Sequence, residues 1–520
     1  MPSIILATLN ARYTHASLGL RCLIANMGAL RADTSIAEFT IRRAPEEISA
    51  DLLARNPRIV GFGVYIWNTV ETLLVIELLK AARPEIVIVL GGPEVSFETN
   101  EQRICQIADY IITGWGDVTL PKLCAQILGG PKPLMKIQAG EQPPLGTLAL
   151  PYAEYTEEDI RQRTLYVEAS RGCPFKCEFC LSALDKTAWP FDTTRFLAEL
   201  EQLHTRGARR FKFVDRTFNL NVKTSLAILE FFWRKIEAAP DDPCFVHFEL
   251  VPDHLPDSLK TMIACFPAGA LQFEIGIQSF NVEVQKRISR KQDNCKAAEN
   301  LKWLRNQSQA HLHVDLIAGL PGEDLTSFAR GFDLLHALRP HEIQLGILKR
   351  LRGTPIIRHT EAFGMRYNDA PPYNVLATAC ISDAEMLCIE RFARYWDMVA
   401  NSGRFGTSLP ALLESPISVN HSPFFHFMEF ADWMYQRCRR THHIGFEELC
   451  ESVHAFLGER RGVEAALASA WLLDDYRRSG AHGRPAFLAK GLSGNGAAGE
   501  PRLSAMPARQ AQHRRDEVTI

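Results

Sequence analysis

Three cysteines stand at C-x3-C-x2-C spacing in Arg171-Gly172-Cys173-Pro174-Phe175-Lys176-Cys177-Glu178-Phe179-Cys180. One short loop with that spacing can turn three thiolates onto a single iron–sulfur cluster. A four-iron cube (4Fe-4S) held by Cys173, Cys177 and Cys180 keeps one iron without a protein ligand. That iron can take a small chelating molecule, and the amino and carboxylate groups of S-adenosylmethionine suit it. A reduced cluster can then pass one electron to the sulfonium and release a 5′-deoxyadenosyl radical. The cofactor does the difficult chemistry in such a site, and the protein supplies position and electrostatics. Structural zinc is the competing use of three thiols. It asks for four closed ligands, usually paired knuckles, and no second knuckle lies nearby.

A second set of chemistry-bearing residues recurs downstream. Asp215, Arg216 and Thr217 follow one apolar run, Glu249 ends the next, and Gln278 closes a third. Arg290 lies shortly after, and Asp315 sits within a further run before Gly319-Leu320-Pro321-Gly322-Glu323. Any one of these charges alone reads as an ordinary surface ion pair. Together, at the ends of successive strands, they read as a binding set. Arg290 offers a planar fork to a carboxylate, and a carboxylate accepts from ribose hydroxyls or an ammonium.

The chain that must position these groups has 520 residues, a prior of about three domains. It is 46% hydrophobic and 23% charged, ordinary for a globular protein. A net charge of −2 gives no overall field favouring nucleic acid. No apolar run reaches the roughly 18 residues of a membrane span, and the N-terminus does not read as a signal peptide. Thirteen cysteines, mostly inside helix- or strand-like segments, read as reduced thiols of a cytoplasmic protein.

Residues 1–130 alternate strand and helix. Strands are expected at Ser3–Thr8, Ser35–Phe39, Arg58–Tyr65, Glu85–Leu90 and Asp109–Thr113. Apolar strands separated by amphipathic helices imply an α/β, doubly wound, Rossmann-like parallel sheet. Such sheets bind ligands beyond the carboxyl ends of their strands. Gly91-Gly92-Pro93 and Gly114-Trp115-Gly116-Asp117 fall there, where glycine lets a backbone approach a ligand closely. A side chain at Gly92 or Gly114 is therefore expected to collide with that ligand. Residues 131–163 are proline-rich and read as a linker. Residues 164–350 again alternate, with six strands at Thr164–Ala169, Arg210–Val214, Phe245–Leu250, Leu271–Ile275, His311–Ile317 and Glu342–Ile347. This is the pattern of a partial (β/α)6 barrel, whose site lies at the carboxyl ends of the strands. Residues 351–490 read as a mostly helical C-terminal domain, with a loop at Asn401–Phe405 whose polar groups are expected to reach the site. Residues 491–520 have the composition of a disordered tail.

The cysteine loop, with aromatic Phe179 before its last cysteine, resembles that of the radical S-adenosylmethionine (radical SAM) superfamily. Glu249, Gln278, Arg290 and Asp315 resemble cofactor-binding positions of its oxygen-independent coproporphyrinogen oxidase branch. The resemblance implies Glu249 and Gln278 on ribose or amino groups and Arg290 on the methionine carboxylate. It places Asp215, Arg216 and Thr217 near the methionine backbone. A doubly wound domain ahead of such a barrel resembles the cobalamin-binding domain of cobalamin-dependent radical enzymes. That implies Gly91, Gly92, Gly114 and Gly116 around the cofactor. The D-x-H-x-x-G signature of histidine-ligated cobalamin is missing. His15 therefore reads as a loop-packing or substrate-side residue rather than a cobalt ligand. A methylthiotransferase would carry a second cluster on three cysteines of its first domain. Cys22, Cys105 and Cys124 fall inside helices instead and read as buried small apolar residues. The third part resembles the uncharacterised helical domain that follows the barrel in one branch of these proteins.

The implied cofactors are a 4Fe-4S cluster, S-adenosylmethionine and cobalamin. The implied partners are a small-molecule substrate and an electron donor such as flavodoxin or ferredoxin. The implied reaction is methyl transfer to an unactivated carbon. Cyclisation or oxidation is the sister reading, as in the anaerobic magnesium-protoporphyrin IX monomethyl ester cyclase that this domain order also resembles. A cobalamin sensor or scaffold is the non-enzymatic alternative, and an intact cysteine triad argues against it.

Overall fold

The computed structural model describes residues 2–185, 187–414, 421–481, 509–511 and 513. The first sheet holds β1 (Ile4–Asn10), β2 (Thr34–Thr40), β3 (Ile59–Gly63), β4 (Val87–Gly91), β5 (Tyr110–Thr113) and β6 (Ile137–Ala139). Its order is β2-β1-β3-β4-β5-β6 and every pair is parallel. Period-two alternation sorts the buried residues into two separate cores. Ile5, Ala7, Leu9, Val60 and Phe62 pack with Ile48 and Leu52 of the helix Pro45–Ala54 and with Val75 and Leu79 of Thr69–Ala82. Ile4, Leu6, Ile59, Val87 and Val89 pack with Leu20 and Ile24 of Leu18–Ala25 and with Leu120 and Leu123 of Thr119–Gly129. Helices thus cover both faces, which is why these strands are near-continuous apolar runs. The chain leaves β1 in one direction to β2 and in the other to β3. The crevice beyond β1 and β3 is therefore the topological switch point, where ligands bind in such sheets.

β6 lies inside the stretch expected to be a linker. Residues 145–160 are no loose connection either. Leu145, Leu148, Tyr152, Tyr155 and Ile160 are buried in the core of the second domain.

The second sheet is built from β7 (Leu165–Val167), β10 (Arg210–Phe213), β11 (Phe245–Leu250), β12 (Leu271–Gln278), β13 (His311–Ala318) and β14 (Glu342–Ile347). All its pairs are parallel, in the order β14-β13-β12-β11-β10-β7. These are the six strands of the expected partial barrel. Between β7 and β10 lies a two-strand ribbon, β8 (Ser170–Arg171) with β9 (Trp189–Pro190). Leu271, Phe273, Ile275 and Ile277 of β12 belong to the core against the helices. Their neighbours Gln272, Glu274, Gly276 and Gln278 face the other way, so the barrel lumen is polar.

A second ribbon, β15 (Arg366–Tyr367) with β16 (Val375–Ala377), opens the third part. The helices Asp383–Val399, Pro423–Cys438, Phe446–Arg461 and Ala465–Arg478 follow. Phe392 and Trp396 of the first interleave with Phe424 and Phe427 of the second and with Phe332 of a barrel helix. The helical part therefore shares one core with the barrel. The tail expected to be disordered lies almost wholly outside the described residues. Among the described residues, no helix is long and apolar enough to cross a membrane.

Candidate functional site

The cysteine loop leaves β7 at the carboxyl end of the barrel, and the chain fixes it at several points. Asp215, just past β10, accepts from the Ala169 amide at 3.0 Å and from Ser170 Oγ at 2.6 Å. Burial pushes its carboxyl up to about 7 despite those bonds. Its oxygens thus hold the backbone and side chain that lead into the loop. Gly172 has φ +85, and a Cβ there would meet the Thr187 carbonyl oxygen at 2.2 Å. Only glycine makes that approach. Glu178, between the second and third cysteines, is buried and holds the loop from outside. It accepts from Ser289 Oγ at 2.6 Å, from His359 Nε2 at 2.8 Å and from the Arg358 guanidinium.

Cys173 and Cys177 are buried and Cys180 is half-buried. Burial pushes the Cys173 thiol up to about 11. It also raises Cys177, against the opposing pull of Arg290. Arg290 Nη1 lies 3.7 Å from Cys177 Sγ. Three thiols in one short loop, with a cation beside one of them, fit an anionic cluster.

The strand-end residues fall into two groups around this loop. Arg290 donates to the Gly276 carbonyl, and its Nε and Nη2 reach Gln292 Oε1 at 3.0 and 2.9 Å. Gln278 sits at a β12 irregularity with φ +68, and its buried Oε1 has no hydrogen-bond partner. A buried orphan acceptor beside a guanidinium and a cluster thiol is a place for a polar ligand. On the other side, Arg216 Nη1 bonds Glu249 at 2.7 and 3.0 Å. Burial raises the Glu249 carboxyl while Arg216 opposes it. Thr217 is buried beside them, and Phe179 packs on the barrel core.

Asp315 lies deeper, in a charged layer across the lumen. His313 Nε2 approaches it at 3.3 Å and donates to Gln344 Oε1, 2.8 Å away. Burial works against the His313 cation, but Asp315 outweighs it and pushes the imidazole up to about 9. Lys212 and His247 each stand 3.2 Å from Glu274. Polar residues at alternate strand positions were the only signal of this layer before the fold was known.

The carboxyl ends of both sheets face a shared cleft of 680 Å³, lined by strand-end glycines on one side and by Tyr166, Val214 and Arg216 on the other. Gly91 and Gly114 fit the expected cradle: a Cβ would meet only the Ile112 carbonyl at 3.9 Å at the first and nothing within 4 Å at the second. Gly92 does not. With φ +109, its Cβ would strike the Val64 carbonyl oxygen at 2.5 Å, so protein backbone rather than a ligand demands glycine there. At Gly116 the collision is with the Leu23 side chain at 2.9 Å. His15 lines the cleft with its Nδ1 2.5 Å from Tyr166 Oη, and burial lowers its pKa. Trp67, stacked on Tyr65 with centroids 4.5 Å apart, is a cleft residue that sequence reasoning missed. Its signal was a large apolar ring just past β3, left 47% exposed. Cys22, Cys105 and Cys124 are buried and lie in three different helices.

Arg171, immediately before the cluster glycine, joins the two halves. It bonds Asp117 at 2.9 Å and Glu168 at 2.8 Å, and lies over the Trp115 ring. Asn401 does not reach the cleft. Its side chain pairs with both backbone groups of Ile343, at the opposite end of the barrel.

Three family models match consecutive stretches of the chain. They are a B12 binding domain over residues 4–124, the radical SAM superfamily over 167–335, and a protein family of unknown function, DUF4080, over 361–497. The cobalamin-dependent radical SAM methyltransferase TokK of Streptomyces tokunonensis is 26% identical over 62% of this chain and 51% of its own length. The 2-(S-pantetheinyl)-carbapenam-3-carboxylate methyltransferase of Streptantibioticus cattleyicolor is 21% identical over 80% of this chain and 63% of its own. The chain spans about half the length of the curated relatives it matches. In fold it is similar to the radical S-adenosylmethionine methyltransferase TsrM of Kitasatospora setae, solved with tryptophan and a SAM analogue. That match has a TM-score of 0.55 at 16% identity and covers 74% of this chain and 81% of that one. The cofactors implied by the sequence are those these two domain families are named for, with the cluster that the cysteine loop is built to hold. A B12-binding sheet, a radical SAM barrel and the cleft between them place the chain among the radical SAM proteins that carry a B12-binding domain.

Proposed function

We propose that this chain is a cobalamin-dependent radical SAM methyltransferase that acts on a carbon of a small molecule. When bound, the cluster with S-adenosylmethionine supplies a carbon-centred radical, and cobalamin supplies a transferable methyl group. The observation that carries the reading is the cleft, where strand-end glycines of the B12-binding sheet face Tyr166 and Arg216 at the barrel mouth. Cys173, Cys177 and Cys180 would hold the cluster. Arg290 and the orphan Gln278 Oε1 would orient the methionine end of the cofactor, and Glu249 with Arg216 its polar groups on the other flank. Phe179 would pack behind the cluster, while Asp215 holds the residues that lead into its loop and Thr217 lies buried next to Arg216 in the chain. Gly91 and Gly114 would let the corrinoid lie against backbone, with Trp67 and His15 on the cleft wall. An electron donor such as flavodoxin or ferredoxin would reduce the cluster.

Anaerobic reconstitution with iron, sulfide and hydroxocobalamin tests this. Supplied with reductant and methyl-labelled S-adenosylmethionine, the protein should consume it and pass label to bound cobalamin. Cys177→Ala should lose the cluster's iron, about four atoms per chain. A reconstituted protein that retains no corrinoid would remove the methyl-transfer reading. Corrinoid retained without any turnover of S-adenosylmethionine would point to a sensor instead.

A further inference from the structure

A second cluster of ligand-type side chains lies at the amino end of the barrel strands, opposite the cysteine loop. His311 opens β13 and Glu342 opens its neighbour β14. His513 comes from the C-terminal segment of described residues, 509–511 and 513. One nitrogen or oxygen from each of the three lies within 4.8 Å of the others. His311 Nε2 and Glu342 Oε1 are already 2.9 Å apart. We propose that His311, Glu342 and His513 bind a zinc-class divalent cation, which staples the C-terminal segment to the closed end of the barrel.

The donor set and its surroundings fit. Two imidazoles and one carboxylate are zinc donors, with a fourth position left to water. Ligands about 2.0–2.2 Å from one tetrahedral ion stand roughly 3.3 Å from each other, so small side-chain adjustments suffice. Metal-bound histidines commonly give their other ring nitrogen to a carbonyl. One ring nitrogen of His513, Nε2, lies 3.1 Å from the Asn401 carbonyl oxygen, a partner of that kind. Gly403 makes room for that ring, since a Cβ there would stand 3.2 Å from His513 Nδ1 and Cγ. The second oxygen of Glu342 takes Arg509 Nη1 at 2.9 Å. His311 stacks on His341 with centroids 4.6 Å apart. His311 and Glu342 are each 5% exposed, so an ion there is shielded from bulk water. Without an ion, the segment is held by polar contacts such as Arg509 to Asp397 and Gln510 to Gln272. The exposed ion pair of Arg509 with Asp397 contributes little.

The test uses the full chain with Cys173, Cys177 and Cys180 changed to alanine, so that no cluster thiol captures zinc. After dialysis against Zn²⁺ and then metal-free buffer, mass spectrometry of the metal should find about one zinc per chain. Adding His513→Ala, a change outside the barrel core, should abolish it, and so should Glu342→Gln. Co²⁺ in place of zinc should give visible bands without thiolate charge transfer. Zinc should slow proteolysis of the C-terminal segment, and a chelator should restore it. No zinc above background overturns the proposal. So does zinc that survives His513→Ala, or a cobalt spectrum showing thiolate ligands.

Discussion

Arg290 has its guanidinium between Cys177 Sγ, the Gly276 carbonyl and Gln292. Two jobs are therefore separable by substitution. Arg290→Ala removes a charged hydrogen-bond pair worth about 1.5–3 kcal/mol, roughly tenfold to a hundredfold in S-adenosylmethionine affinity. It also removes a cation beside a cluster ligand, so the cluster should become harder to reduce. Arg290→Lys keeps the charge and loses the planar fork. Its cluster potential should stay near the parent's while affinity still falls, as equilibrium binding and redox titration can show. Unchanged affinity in both variants would make Arg290 a loop-holding residue only. Asp215 gives a prediction in pH. Its folded carboxyl titrates near 7 against an ordinary 3.8, so between those values the folded chain binds more protons than the unfolded one. Its contribution to stability is then present below the lower value and lost as pH rises through the upper one. Asp215→Asn keeps an acceptor for Ala169 and Ser170. The melting midpoint of the apoprotein should then fall less steeply from about pH 4 to pH 7 than in the parent. Equal slopes would show that Asp215 is not the group that titrates. Cys173, Cys177 and Cys180 were legible from spacing because their chemistry is local. Glu178 was not, since its partners Arg358 and His359 lie about 180 residues away and only the fold unites them.

Among elements, the loop after β4 and the loop after β5 carry glycines of different purpose. Gly92 leaves no room for a Cβ beside Val64, whereas Gly114 faces open space at φ +74. Gly92→Val should therefore lower the melting midpoint of the corrinoid-free protein, because backbone must move. Gly114→Ala should cost only the left-handed strain, about 1–2 kcal/mol, and should lower corrinoid retention by placing a methyl in the cleft. Thermal unfolding without corrinoid, paired with corrinoid content after reconstitution, separates the two. Sequence reasoning treated both glycines alike, since a strand-end glycine looks the same whether its neighbour is a ligand or its own chain. The larger pattern was readable. Near-continuous apolar strands with interposed helices specified the first parallel sheet, and strands alternating apolar with polar residues between helices specified the second. The short β6 was not readable, because three residues beyond Pro131 and Pro133 give no period to count. The ribbons β8–β9 and β15–β16 were equally hidden, with strands only two or three residues long.

The whole molecule depends on how the B12-binding sheet is held against the barrel, because the cleft belongs to neither alone. Among the bonds that do this, three arginine-centred seams are buried or half-buried. Arg21 joins Glu38 to Asp159, and Arg352 joins Glu94 and Glu98 of the first domain to Tyr373 of the third. Arg171 is the seam nearest the chemistry. It neutralises Glu168 and Asp117, whose side chains are 10% and 7% exposed, and it lies over Trp115 at the cleft wall. Lysine cannot replace a fork that bonds two carboxylates and covers a ring. Arg171→Gln leaves two buried carboxylates without their cation, a change worth about 3–5 kcal/mol. The loss should appear as faster proteolysis between the two domains and as weaker corrinoid retention. The iron content of the reconstituted cluster should hold, because no cysteine is altered. Adding Glu168→Gln and Asp117→Asn to Arg171→Gln removes the stranded charges and should recover much of the stability. Corrinoid retention should recover less, because Trp115 still lacks its cation. If Arg171→Gln retains corrinoid as the parent does, the first domain forms its site unaided, and the barrel only closes over it.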